Sequence, residues 1–139
     1  VGLAALFSSR FLFLAFRDRI LFVLVGLAGI GAIGVGIFTE DYGIVHGLFS
    51  LLTFLSAGLS VIYASRHIRP PLTYPSIALG VFSLAALGLY ISATYLGLGP
   101  GGMERMIVWP VLVWALGFGG YLLGTSAGCG ETSTPGTST

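Results

Sequence analysis

The chain of 139 residues is 55% hydrophobic and 8% charged, with a formal net charge of +1 and a mean hydropathy of +0.99. A soluble domain carries roughly 25% charged residues to keep its surface hydrated, so this composition excludes a water-soluble fold and requires a membrane protein. The near-neutral charge excludes a nucleic-acid binder, which needs a clustered basic face, and the single cysteine, Cys129, excludes an intramolecular disulfide and a multi-cysteine metal cluster.

Residues 1–16 come first: apolar, short, and interrupted by Ser8, Ser9 and Arg10. They lack the early basic cluster and small-residue cleavage site of a signal peptide, and read as an incomplete first helix. Four long apolar runs follow, at 20–38, 44–64, 77–98 and 106–123. Each approaches or exceeds the roughly 20 residues that cross a hydrocarbon core of about 30 Å. With no water there to satisfy the backbone, each must be helical. The expected fold is all-α: a polytopic transmembrane helical bundle over residues 1–124, with four clear transmembrane helices plus a shorter N-terminal fifth. The Gly/Ser/Thr/Pro-rich tail, 125–139, is expected to be disordered, with Cys129 a passive thiol, or alternatively a site of lipidation or intermolecular bonding.

The loop charges are sorted. Arg17 and Arg19 separate the first two segments, and Arg66 and Arg69 the third and fourth; the opposite loops hold Glu40 and Asp41, then Glu104 and Arg105. The positive-inside rule puts the four-arginine side in the cytoplasm. The acidic side is then external, and so is the N-terminus. A Ser/Thr/Pro tail is a composition associated with O-glycosylation outside the cell, but the arginine bias outweighs it. Lys, Asn and Gln are absent. The missing amides fit a thermophilic source, and a GC-rich genome equally explains arginine in place of lysine.

The 22 glycines are more than twice the usual share of about 7%. In lipid, small residues let helix backbones approach. Ala28, Ala32 and Gly36, flanked by Gly26 and Gly34, form one small stripe; Gly43 and Gly47, Gly80, Gly88 and Ser92, and Gly120 and Gly124 repeat the spacing. This predicts a tight bundle, or a dimer through one exposed stripe. Polar residues also align: His46, Ser50, Thr53 and Ser60 on the third segment, and Ser76, Ser83, Tyr90 and Thr94 on the fourth. They read either as interhelical hydrogen bonds or as a polar pathway or lipid-headgroup cavity. No acid, lysine or arginine lies near the centre of a long segment, which weighs against a pump or ion transporter. His46 and His67 are separated by about 31 Å of helix, which excludes a shared haem.

The stretch "GPGGMERMIVWP", 99–110, sets charge directly before an apolar run. Carboxylates at helix N-termini are favoured by exposed amides and the macrodipole, so Glu40, Asp41 and Glu104 read first as caps. Gly101 and Gly102 would supply the turn, and Pro110 is tolerable early in the helix or kinks it. The sharper alternative is one external site of Glu40, Asp41, His46, Gly101, Gly102, Glu104 and Arg105, binding a lipid headgroup, a partner, or a divalent metal through mixed nitrogen and oxygen ligands. No cofactor other than lipid is expected. The region shows no nucleophile with a base and orienting acid nearby in sequence.

From "GIGAIGVGIFTEDYGIVHGLFSLLTFLSAGLS" through "GPGGMERMIVWPVLVWALGFGGYLL", the chain resembles the archaeal and bacterial membrane family catalogued as domain of unknown function 998, over about residues 21–123. The resemblance implies a six-helix bundle and places the seven candidate site residues at the family's polar motifs. Thr39 stands where the family commonly has proline. The family's preceding helix and its loop of the Pro-Gly-Tyr-Ser and Ile-Ser-Asp-Leu-Gly kind are not matched, so an N-terminal part is expected to be missing or diverged. The expected role is a non-catalytic accessory or structural subunit packing against itself or a membrane protein partner. The alternative is a membrane enzyme or carrier acting on lipid or a small ligand, using Glu40, Asp41, His46 and Glu104.

Overall fold

A computed structural model describes residues 1–128; Cys129 and the rest of the expected tail lie outside the described residues. Five helices follow in order: α1 (Gly2–Phe16), α2 (Arg19–Ile37), α3 (Ile44–Ala64), α4 (Thr73–Ile91) and α5 (Gly99–Gly128). Single 3-10 turns, Glu40–Tyr42 and Ser65–His67, flank α3. Helices α2 to α5 are long and apolar enough to cross a membrane. With 15 residues, α1 reaches only about 22 Å at 1.5 Å per residue.

The helices alternate in direction. The α1–α2 turn, the α3–α4 turn and the C-terminal end of α5 therefore share one end, rich in arginine. The α2–α3 and α4–α5 connections share the other, acidic end. Cross-links confirm the first grouping: Tyr63 and His67 both reach Asp18, and the Arg69 amide donates to the Tyr121 hydroxyl at 3.4 Å.

Two helices depart from the hydropathy reading at both ends. α4 starts at Thr73 and stops at Ile91 rather than running to Leu98. Ala93, Leu96, Gly97 and Gly99 take positive φ, which breaks the helix inside a stretch that is still apolar. Hydropathy does not register such a break. α5 consequently begins at Gly99, seven residues before the expected start at Met106, and continues to Gly128.

Close backbone approach joins the first four helices. A Cβ on Gly29 of α2 would stand 3.0 Å from the Gly2 carbonyl oxygen of α1, and one on Gly31 would stand 2.9 Å from the Thr53 amide of α3. A Cβ on Gly80 of α4 would lie 3.1 Å from the Gly58 carbonyl oxygen of α3. Gly36, Gly47, Gly88, Gly120 and Gly124, which share the sequence spacing, have nothing within 4 Å at that position among the described residues. Spacing alone does not say which way a glycine faces.

The core has two parts. Near the arginine end, Leu21, Val61, Ala64, Ile68, Trp114 and Phe118 are buried together. Toward the acidic end, Ala86, Leu87, Met103 and Ile107 form a second cluster between α4 and α5.

Candidate functional site

At the acidic end the Tyr90 hydroxyl of α4 donates to Glu104 Oε1 of α5 at 3.0 Å. Each predicted site residue has its own local setting. His46 Nδ1 lies 2.7 Å from the Phe38 carbonyl oxygen; a carbonyl only accepts, so this nitrogen carries the proton. That bond ties the first turn of α3 to the end of α2, beside the stacked Phe38 and Phe49 rings. The Thr39 hydroxyl donates to Asp41 Oδ2 at 3.4 Å.

The capping expectation for these acids is replaced by other contacts. Glu40 and Asp41 sit in the 3-10 turn, and the residue that caps α3 is Gly43 at φ 51°. Glu104 lies in the second turn of α5, because the helix starts earlier than its hydropathy suggests, and it bonds to Tyr90 across the α4–α5 interface. The turn itself is made by Gly97 and Gly99 at positive φ. Gly101 and Gly102 lie in the first turn of α5, where a Cβ on Gly102 would stand 2.8 Å from that of Leu98. Arg105 is exposed. Among the described residues, no group of three His, Cys, Asp or Glu side chains is placed to hold a metal ion.

The polar stripe on α4 reads out as interhelical bonding. Ser76 Oγ accepts from the Trp114 indole N–H at 2.9 Å, and the Ser83 hydroxyl donates to the Ile107 carbonyl at 2.8 Å. Tyr90 to Glu104 is the third bond of the series. Three residues spaced by seven thus close α4 on α5. The buried Pro110 sits within this seam, near the carbonyl that Ser83 engages. On α3 the stripe behaves differently: Thr53 and Ser60 donate to the Phe49 and Ala57 carbonyls of their own helix, both at 2.7 Å.

The densest polar cluster is at the arginine end, and sequence reasoning passed over its centre. Asp18 caps α2: Oδ1 accepts the Ile20 and Leu21 amides at 2.8 and 3.2 Å. Its Oδ2 accepts the Tyr63 hydroxyl and His67 Nε2–H, both at 3.0 Å. Burial pushes the Asp18 carboxyl up, but the Leu21 and Ile20 amides, Tyr63 and His67 outweigh it and hold its pKa below the ordinary carboxylate value. Phe16 packs its ring 4.8 Å from that of His67, and the Arg66 guanidinium lies 4.9 Å from the Tyr63 ring centroid. An aspartate immediately before an apolar run is a helix N-cap signature, and that signal was present in "RDRI". The meeting with Tyr63 and His67, 45 and 49 residues away, left no trace in the sequence.

Between these ends, a cavity of about 570 Å³ runs beside α1, α2, α3 and α5. α1 and α5 are not packed along their lengths; they meet through Phe16 and Phe118, with ring centroids 6.3 Å apart. The hydroxyls of the lining are those of Ser8, Thr53 and Ser60, and the indole N–H of Trp114, which also lines it, donates to Ser76.

A family model described as a protein of unknown function, DUF998, matches residues 1–121 and so takes in α1. No curated protein and no solved structure matches the chain.

Proposed function

The chain belongs to that family of unknown function, and from its geometry we propose that it is a non-catalytic accessory or structural subunit of the membrane, packing through the outer face of α5 against a second copy. The carrying observation is the row Gly117, Gly120 and Gly124. These glycines are exposed, and a Cβ at each would meet nothing within 4 Å among the described residues. Glycine inside a helix costs roughly 1 kcal/mol relative to alanine. The glycines of α2 and α4 that face a neighbouring helix offset that cost through close approach; the α5 row has no neighbour among the described residues to do so. Trp109, Leu116 and Leu123 on the same side are exposed at 60%, 79% and 73%, and would form the remainder of a helix–helix contact of the small-residue kind. The arginine end is assigned to the cytoplasm by its loop charges.

The test is the oligomeric state in lipid nanodiscs, read by mass photometry and by cross-linking through a cysteine introduced at Leu116 in a Cys129→Ser background. A dimer that Gly120→Leu converts to a folded monomer supports the reading. A wild-type chain that stays monomeric across a range of lipid ratios sinks it.

A second reading, a carrier or enzyme acting on a lipid headgroup at the acidic end, draws on the Tyr90–Glu104 pair. It predicts that Glu104→Gln weakens binding of headgroup analogues while the fold is retained. Equal binding by Glu104→Gln and wild type removes it.

A further inference from the structure

We propose that the cavity between α1, α2, α3 and α5 is a berth for one hydrocarbon chain of a membrane phospholipid. Small residues from all four helices create the space: Ala5 on α1, Ala28 and Ala32 on α2, Ala57 on α3, and Ala115 and Gly119 on α5. A leucine at any of several of these positions would narrow it. The opening is on the lipid side, because α1 and α5 stand apart above the Phe16–Phe118 contact.

Three occupants can be weighed by size and chemistry. Water at about 30 Å³ per molecule would need some nineteen molecules with two to four polar partners each. The lining offers three hydroxyls, and those of Thr53 and Ser60 already donate to their own helix. A transmembrane helix, 10–12 Å across and about 30 Å long, would seat only part of its girth in 570 Å³, whereas a single hydrocarbon chain would enter whole. A methylene group displaces about as much as a water molecule, ~30 Å³, so a chain of sixteen to eighteen carbons needs roughly 480–540 Å³. The hydrocarbon chain fits. Length agrees: from Ile107 to Leu122 on α5 the lining runs about 22 Å, more than the ~15 Å depth of one leaflet of a 30 Å core.

Trp114 lines the cavity, whereas Trp109 faces outward at 60% exposure. The chain has two tryptophans, so Trp109→Phe leaves Trp114 as a single reporter. This variant is reconstituted into vesicles of phosphatidylcholine with brominated acyl chains, which quench indole fluorescence on contact, and into unbrominated vesicles. The expected result is loss of half or more of the Trp114 emission in the brominated vesicles. Adding Ala28→Leu or Ala57→Leu, on two separate walls, should restore most of that emission, with circular dichroism confirming the fold. Two results overturn the proposal: undiminished Trp114 emission in brominated vesicles, or quenching that survives both filling substitutions in folded protein. The readout is on a different side of α5 from Gly120, so loss of the proposed dimer leaves it intact.

Discussion

The two flanks of α5 differ in a way that explains the whole bundle. On the α4 side, Ser76, Ser83 and Tyr90 bond to Trp114, Ile107 and Glu104, and Met103 and Ile107 are buried. On the α1 side there is a groove lined almost wholly by carbon. Both flanks are apolar in sequence. Lipid tails are as apolar as leucine, so apolar surface alone does not draw helices together in a bilayer. What closes an interface there is close glycine packing or a polar bond. The α1–α2, α2–α3 and α3–α4 pairs have the glycines, α4–α5 has the hydrogen bonds, and α1–α5 has neither along most of its length.

The strongest way to break that contrast is to obstruct a glycine seam. Gly80→Leu places side-chain atoms where the Gly58 carbonyl and the Ile62 amide already stand 3.1 Å from a Cβ, and should cost about 3 kcal/mol, the upper end of overpacking. Gly36→Leu, with open space around it, should change stability by less than about 0.5 kcal/mol. Denaturation in mixed detergent micelles measures both; equal losses would mean that backbone approach does not set the α3–α4 interface.

Next comes the polar seam. Ser76→Ala leaves the Trp114 indole N–H buried without its acceptor, an expected loss of about 1–2 kcal/mol. Ser60→Ala, whose hydroxyl bonds only within α3 on the groove side, should cost less than about 0.5 kcal/mol. The same unfolding assay separates them, and a larger effect at Ser60 would reverse the assignment.

The arginine end adds a tie that depends on acid. Asp18 has a depressed carboxyl pKa in the folded chain, so its contribution is fully present above the unfolded carboxylate value of about 3.9. It is lost as pH falls from there through the folded value. Thermal midpoints measured from neutral pH downward should therefore show an acid limb in the wild type that is diminished in Asp18→Asn. An identical limb in both proteins would show that the Asp18 cluster carries no pH-linked stability.

The smallest expected effect sharpens the open flank. Ala57→Leu fills part of the groove and should raise stability in detergent by about 0.5 kcal/mol. A loss of more than about 1 kcal/mol, the overpacking range, would show that the groove collapses in solution.

Some of this was legible residue by residue. Four spans and a short first helix follow from apolar run length, because the bilayer leaves a buried backbone no alternative to helix. The α4 stripe of Ser76, Ser83 and Tyr90 was visible as a heptad spacing. Its partners were not, since Trp114, Ile107 and Glu104 belong to another helix whose start hydropathy misplaced. Gly97 looked like part of an apolar run, and with Gly99 it acts as the break between helices. Of the candidate site, the acids, His46 and the glycines were all visible in the sequence. Their individual ties to Phe38, Thr39 and Tyr90 were not, because each depends on how one loop turns.

The sequence by itself determined that the chain is a helical membrane protein, since composition and run length act through the solvent and need no knowledge of neighbours. Only the tertiary structure decided which glycines face a neighbour and which face out, that Asp18 joins Tyr63 and His67, and that α5 closes on α4 but stands off α1. Those outcomes depend on helix rotation and pairing. A rotation of a few tens of degrees leaves hydropathy unchanged and alters every contact.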